Sequence, residues 1–477
     1  MRLRFAPSPT GALHVGSARV ALVNYLIALH YHADLILRIE DTDFERSTKE
    51  SLNSILESLQ WLGITFQEGP YFQSRRIPVY KTVIQRLLQE KKAYRCFCSS
   101  EEIEAMRVEQ AALHKPPGYD GRCKELSETQ IHQFLSEGKP YVVRLRVPSK
   151  SILFQDLIKG NVVFDGALIS DFVIARQDGS PTYQLAVVVD DFEMGITHVV
   201  RGEDHVSNTP KQIALYQALG LSLPTFAHIP LIIGNDRSKL SKRHGDTSIQ
   251  AYREKGYLPQ ALVNYFALLG SSHDSQQEIL SLEQLAQDFS FEHLSKSPST
   301  FDLPKLTWMN HWYIQQLPTE DFVEKLQPFV ASIPLTSLTI KKIASLSQAQ
   351  MKTLQSIEDV CEPFYKYHVD WSNKAIQKLI KKPELIDFLQ HYYQLLLDAE
   401  TFSISFLEET FDSLFRSKSL KKRDAIQIVR LAAMGKLISP PLFDTLYLLG
   451  HQESIERMNL FLQEVPCQRQ ESLMEST

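Results

Sequence analysis

Arg4-Phe5-Ala6-Pro7-Ser8-Pro9-Thr10-Gly11-Ala12-Leu13-His14-Val15-Gly16-Ser17 sets how the rest of the chain is read. Arg4-Phe5-Ala6 is a strand candidate that runs into a loop of breakers, Pro7 to Gly11. Beyond it Val15, Ala18, Leu22 and Leu26 share one face of a helix expected over 14–29. Leu35-Ile36-Leu37-Arg38-Ile39 reads as a buried strand ending in acidic residues, and helices are expected over 51–62 and 78–89. Strand, glycine-bearing loop, helix, strand is the opening of a parallel α/β sheet. Such a loop delivers a helix N-terminus, whose free N–H groups and partial positive charge suit phosphate. Glycine there lets a ligand approach the backbone, and His14 can donate to a phosphate or ribose oxygen. Alone, the same residues also describe a Pro-rich turn capped by Thr10 with a surface histidine, and no Gly-Lys-Ser/Thr follows to complete a P-loop.

A second candidate phosphate element lies more than two hundred residues on. Lys239-Leu240-Ser241-Lys242-Arg243 follows Pro230-Leu231-Ile232-Ile233-Gly234 and sets three cations in five positions beside Asn235-Asp236-Arg237. Mobile cations can follow charge that develops on a departing pyrophosphate, although a single Lys/Arg cluster is more often a solvated loop. Between the two elements the texture changes near Tyr94. Cys96, Cys98 and Cys123 cluster, and strand-like stretches follow over 141–147 and 161–164, which reads as an insertion. The α/β texture returns over 181–191 and 198–205, and a helix is expected over 209–219. From about Leu258 nearly every segment reads as helix, including 306–317, 320–327, 374–380, 383–397 and 420–434.

At 477 residues the chain calls for two to four domains. Its 43% apolar and 22% charged residues suit a soluble globular protein. No apolar run approaches the roughly 18 residues that span a bilayer, and no apolar h-region follows the N-terminus, so neither a membrane anchor nor a signal peptide is expected. Five cysteines in so long a chain fit a reducing cytoplasm. A net charge of −5 weighs against a nucleic-acid binder in sum, but local distribution matters more. Arg416, Lys418, Lys421, Lys422, Arg423 and Arg430 stand against Asp424 alone, with further groups at Lys374, Lys378, Lys381 and Lys382 and at Lys341 and Lys342. These could line a phosphate track; each lysine by itself also suits a solvated helix face. Trp308, Trp312 and Tyr313 sit at helical spacing and suit a core or a base-stacking platform.

The pairing of the two phosphate elements carries a resemblance. The first, with His14-Val15-Gly16-Ser17 at its centre, resembles the His-Ile-Gly-His signature of class I aminoacyl-tRNA synthetases, and the second resembles their Lys-Met-Ser-Lys-Ser loop. Ser17, Leu240 and Arg243 carry the spelling of the glutamyl branch. The likeness continues through Arg38-Ile39-Glu40-Asp41-Thr42-Asp43, 183–191, Arg201-Gly202-Glu203-Asp204-His205, Ser419-Leu420-Lys421-Lys422-Arg423 and Pro440-Pro441-Leu442-Phe443, almost the whole chain.

The resemblance implies a Rossmann-like parallel-sheet catalytic domain over 1–92 and 178–243, and an inserted tRNA acceptor-binding domain over 93–177. A helical connecting domain over 244–316 and a helical anticodon-binding domain over 317–477 complete it. It implies activation of glutamate by ATP with Mg²⁺, then transfer to tRNA-Glu, with tRNA-Gln as a further acceptor left open, by a monomer. Pro7, Ser8, Pro9, Thr10, Gly11, His14, Val15, Gly16 and Ser17, with Lys239, Leu240, Ser241, Lys242 and Arg243, would hold ATP, with His14, Lys239 and Lys242 catalytic. Arg4 and Arg201 would read the substrate carboxylate, Ser8 and Tyr183 would add neutral hydrogen bonds and Glu40 would pair the ammonium. Cys96, Cys98 and Cys123 look like structural zinc ligands, with Glu125 in the family's fourth position; Cys361 and Cys467 are isolated. Lys421, Lys422 and Arg423 would touch tRNA.

A glutaminyl-tRNA synthetase would end in β-barrels, and a short tRNA-modifying glutamyl transferase lacks the helical half. A catalytically silent paralogue would not need His14, Lys239, Lys242, Arg4 and Arg201 together.

Overall fold

The computed structural model describes residues 1–43, 45–114, 116, 118–148, 151–166, 169–272 and 277–474, with side chains for all but Lys242 and 466–474. The chain divides into two compact units, Met1–Arg253 with Pro259–Leu306 and Glu254–Leu258 with Thr307–Thr477.

In the first unit β1 (Arg2–Phe5), α1 (Val15–His30), β2 (Asp34–Ile39), α2 (Lys49–Trp61), β3 (Glu68–Phe72) and α3 (Ile77–Gln89) follow one another. β2 pairs parallel with β1 on one side and β3 on the other. Five of its six residues are buried, which is why it reads as a continuous apolar run rather than an alternation. Then come β4 (Ala93–Cys96), α4 (Ser100–Ala112), α5 (Glu128–Ser136), β5 (Val142–Leu145), β6 (Ile152–Asp156), β7 (Gly160–Phe164) and β8 (Val173–Ala175). They lead to α6 (Tyr183–Glu193), β9 (His198–Gly202), α7 (Thr209–Leu219) and β10 (Thr225–Ile229).

β10 pairs parallel with β9 and with β6, and β6 pairs antiparallel with β7. β9 lies beside β1, where the Thr197 N–H donates to the Arg2 carbonyl at 3.0 Å. The order across the sheet is therefore 3-2-1-9-10-6-7. From β1 the chain builds outward through β2 and β3, then returns and builds the other way through β9 and β10. Ligands of open α/β sheets bind at such a reversal, at the carboxyl ends of the strands. Here that point lies between β1 and β9. β4, β5 and β8 form a separate antiparallel sheet.

The elements that periodicity marks out fall where it places them, with ends shifted by at most three residues. α6 is the instructive one, because Val187-Val188-Val189 favours a strand by propensity alone. Seven of its residues are buried, so tertiary packing decides the conformation, and the helix delivers two adjacent carboxylates, Asp190 and Asp191, into the interior.

The second unit is helical, with helices that include Thr319–Val330, Ser337–Ser347, Lys374–Ile380, Pro383–Leu397, Ile404–Arg416, Lys422–Met434 and Leu442–Leu449. One core holds Phe388, Phe411, Ile428, Met458 and Phe461. Cys361 lies in it, where burial pushes its thiol up to about 12. Among the described residues no helix is long and apolar enough to cross a membrane.

Candidate active site

A cavity of about 490 Å³ opens at the reversal point, lined among others by Arg4, Ser8, His14, Glu40, Tyr183, Arg201 and Lys239. Residues as far apart in sequence as Arg4 and Leu240 thus meet at one place. Pro7, Thr10, Gly11, Gly16, Ser17 and Leu240 also line it. Val15 turns into the core, and Pro9, Ser241 and Arg243 stand off the cavity wall. The side chain of Lys242 lies outside the described ones.

The two arginines are held differently. Arg4 spends Nε and Nη2 on Asp191, at 3.1 and 3.5 Å. Arg38, fully buried behind it, donates from Nη1 to the same Asp191 at 2.7 Å and from Nη2 to Glu40 at 3.1 Å. Burial pushes the Asp191 carboxyl up, but Arg4 and Arg38 outweigh it and hold it below the usual carboxylate range. Burial pushes Glu40 up, and Arg38 and Arg4 only partly offset that. The neighbouring Asp190 accepts from Arg76 at 2.7 Å, Tyr80 at 2.8 Å and Gln73 at 2.9 Å.

Among the described residues Arg201 has neutral hydrogen-bond partners only. Its Nε donates to His228 Nε2 at 3.1 Å and its Nη2 to Thr209 at 2.8 Å. Its Nη1 is buried without a hydrogen-bond partner among the described residues. An unpaired buried donor on a cation is costly, so the residue is built to receive a ligand acceptor, and an anionic one best. The Tyr183 hydroxyl lies 3.0 Å from His205 Nδ1. Burial and then Arg201 pull His205 down to about 4, so its ring is neutral near pH 7.

His14 is the N-cap of α1, and its Nδ1 accepts from the Gly16 N–H at 3.0 Å. The cap is therefore His14 and not Thr10. Burial and then Lys239 lower its pKa, so the ring is neutral with its proton on Nε2, leaving a donor. The basic loop is tied to this turn: Val15 N–H donates to Thr247 at 2.8 Å and Ile249 N–H to Leu13 at 3.0 Å. Within the loop Asp236 accepts from Ser238 and His244, and Arg243 lies 3.3 Å from it. The His244 ring packs on Gly234, where a Cβ would fall 2.5 Å away. Lys239 Nζ sits 3.4 Å from Asp204.

A helix start capped by a histidine, an exposed lysine and an arginine with an unpartnered donor thus share one cavity. Residues 1–308 match the family model of class I tRNA synthetases (E and Q), catalytic domain, and 321–462 match an anticodon binding domain. The chain is 43% identical over 464 residues to glutamate–tRNA ligase 1 of Caldanaerobacter subterraneus subsp. tengcongensis, covering 96% of each. The chain belongs to the glutamate–tRNA ligases. Glutamate–tRNA ligase of Geobacter sulfurreducens is 42% identical, covering 96% of this chain and 97% of its own. A crystal structure of a glutamate tRNA ligase from Elizabethkingia meningosepticum in complex with its amino acid superposes with a TM-score of 0.85 at 30% identity, over 98% of this chain and 99% of that one.

In this glutamate–tRNA ligase the cysteines meet as expected, while their expected companion does not. The sulfurs of Cys96, Cys98 and Cys123 lie within 4.8 Å of one another, a set compatible with zinc. Glu125 stands apart: its side chain is 85% exposed and lies 3.5 Å from Arg146. Cys123 itself lies in a turn closed by Lys124 N–H to the Gly121 carbonyl. The Tyr119 hydroxyl lies instead 3.3 Å from Cys96 and 3.6 Å from Cys98, held by the Cys123 N–H at 3.0 Å. The Arg144 guanidinium lies 3.8 Å from the centre of the Tyr119 ring.

The basic track of the ligase is thinner than its sequence suggests. Lys382 pairs with Asp424, Lys418 with Asp387 and Lys422 with Asp412, at 2.5 to 2.7 Å. Lys421 and Arg423 are exposed and make no ion pair among the described residues. Sequence reasoning gave no role to Arg38, Asp191, Asp204 or His205, although all lie in quoted stretches, and passed over Thr209, His228 and Asp156.

Proposed function

We propose that the cavity holds glutamate with its side-chain carboxylate on Arg201 and Arg4, its ammonium on Glu40, and Ser8 and Tyr183 as neutral partners. The observation that carries this is the buried, unpartnered Nη1 of Arg201. ATP lies over the turn from Pro7 to Ser17, with its phosphates at the start of α1. An oxygen of the substrate's α-carboxylate attacks the α-phosphorus, the bond to pyrophosphate breaks and glutamyl-adenylate forms. The terminal ribose 2′-hydroxyl of tRNA-Glu then attacks the acyl carbon and AMP leaves. No protein nucleophile takes part; positioning and electrostatics do the work. His14 donates from Nε2 to a phosphoryl oxygen, and Lys239 and Lys242 take up charge on the leaving pyrophosphate. Magnesium bound with ATP supplies further neutralisation of the phosphates.

Aminoacylation assays with tRNA-Glu and tRNA-Gln, each with glutamate or glutamine, test the reading. Glutamate on tRNA-Glu is expected; glutamate on tRNA-Gln as well would widen the acceptor range, and transfer of glutamine would refute the assignment. His14→Ala is expected to lower kcat for pyrophosphate exchange about a hundredfold, the cost of one transition-state donor. Little change in the glutamate KM should accompany it. A KM effect alone would remove His14 from the chemistry.

The part of 93–177 that lies outside the main sheet serves as the acceptor-binding insertion, the hairpin of β6 and β7 belonging to the sheet itself, and Lys421 and Arg423 contact tRNA. A structural zinc is held by Cys96, Cys98, Cys123 and the Tyr119 oxygen. Burial and the neighbouring thiols push the Tyr119 phenol up, and a divalent cation reverses that balance. Metal analysis should find about one zinc per chain, lost or weakened in Tyr119→Phe and unchanged in Glu125→Ala; the opposite pattern would restore Glu125. None of Cys96, Cys98, Cys123 and Cys361 forms a disulfide, which fits a reducing cytoplasm, and the enzyme works there as a monomer.

A further inference from the structure

His228 stands behind Arg201, on β10, and nothing in the proposed reaction uses it. Its Nδ1 lies 2.6 Å from Asp156 Oδ2 and its Nε2 lies 3.1 Å from both Arg201 Nε and the Thr209 hydroxyl. All four residues are at most 5% exposed. A guanidinium Nε can only donate, so Nε2 must accept, and the ring proton must sit on Nδ1, facing the carboxylate. Burial lowers the pKa of His228, which agrees with a neutral ring. Asp156 is fixed in turn, accepting from the Ile158 and Lys159 N–H groups at 2.9 and 2.8 Å.

We propose that His228, its tautomer set by Asp156, is a positioning residue that aims Arg201 while leaving its charge free for the substrate carboxylate. The inference rests on Arg201 reading that carboxylate, and two features of the geometry carry it. Nε and Nη2 are occupied from behind, which fixes the plane of the fork and leaves Nη1 as the donor without a partner. And the backing is neutral. Arg4, the other arginine, has its charge met by Asp191, whereas the acid behind Arg201 is held one ring away. A carboxylate bonded directly to Arg201 would weaken its pull on an incoming anion; an imidazole accepts the hydrogen bond without doing so. Asp156 fixes the tautomer as a buried acid fixes the imidazole of a serine-protease triad, here to present a lone pair rather than to move a proton.

The test is pyrophosphate exchange by the full-length enzyme, with saturating tRNA-Glu and ATP, as glutamate is varied. His228→Phe fills the space but cannot accept, and should raise the glutamate KM about tenfold or more with the ATP KM unmoved. His228→Gln restores a neutral acceptor and should stay within about threefold of wild type. Asp156→Asn can donate to Nδ1, so the ring turns its proton toward Arg201; it should raise the glutamate KM as His228→Phe does. If His228→Phe does not fold, Thr209→Val removes the other acceptor of Arg201 and should raise the glutamate KM with the ATP KM unmoved. Arg201→Ala, run alongside, separates the levels. If it raises the glutamate KM while His228→Phe and Thr209→Val do not, positioning by His228 is overturned. If His228→Gln is as poor as His228→Phe, the ring serves packing and the proposal fails. If Arg201→Ala itself leaves the glutamate KM unmoved, the reading of Arg201 fails and takes this inference with it.

Discussion

Arg201→Ala is expected to lower kcat/KM for glutamate by about a thousandfold, roughly 4 kcal/mol of lost binding to the substrate carboxylate and to the transition state that retains it. The size follows from where the guanidinium stands. It is 5% exposed and, among the described residues, hydrogen-bonded only to His228 and Thr209, so on the proposed reading the substrate supplies its missing acceptor. In such a site a charge-assisted pair is worth several times its value at the surface. Arg4 cannot substitute, because two of its donors are committed to Asp191. Arg201→Lys keeps the charge but loses the fork, and should recover only part of the loss. The ATP KM should hold in both variants. Pyrophosphate exchange against glutamate concentration measures this, and a glutamate dependence unchanged in Arg201→Ala would show that the carboxylate is read elsewhere.

The second large effect concerns stability. Arg38→Met should lower the stability of the first unit by about 3–5 kcal/mol, because it leaves Glu40 and Asp191 buried without their shared partner. For a unit of this size that is on the order of 10 °C in the calorimetric midpoint. The pH dependence has a definite sign. In the wild type Asp191 is held below its usual range, so its contribution is present near neutral pH and is lost as pH falls through the folded-state pKa. In Arg38→Met the carboxylates prefer to be protonated in the folded state, so the deficit should be largest at neutral pH and shrink on acidification. A deficit that does not change with pH would mean that Arg38 matters through packing alone.

Local signals made most of the fold legible. The breaker loop before α1, the buried run of β2 and the helical periodicity of the second unit are each contained within a short window, and each element stands within three residues of its expected place. The phosphate turn and the basic loop were legible as types, and their tie through Thr247 and Ile249 explains why they occur together. What was not legible is set by distance in sequence or by atypical chemistry. Asp156 and His228 stand 72 positions apart with Arg201 between them, and no spacing rule joins an acid on β6 to an imidazole on β10. Tyr119 was passed over because a phenol is an unusual companion for thiolates, while Glu125, two residues beyond Cys123, had the familiar spacing. The turn from Gly121 to Lys124, which lies between them, is a property of the backbone. The lysines of 416–430 look unopposed in a linear count because Asp387 and Asp412 come from other helices.

The hairpin of β6 and β7 lies within the stretch expected to be an insertion, yet β6 hydrogen-bonds to β10 in the main sheet and Asp156 stands at its end. A cut-and-paste chimaera that exchanged 93–177 for the corresponding stretch of another synthetase would therefore strip two staves from the sheet and bare the flank of β10. Swapping 93–148 alone, with its own three-stranded sheet reduced to β4 and β5, would spare the hairpin but orphan β8. The modular boundaries of this enzyme in evolution and in the laboratory need not coincide with its boundaries along the chain.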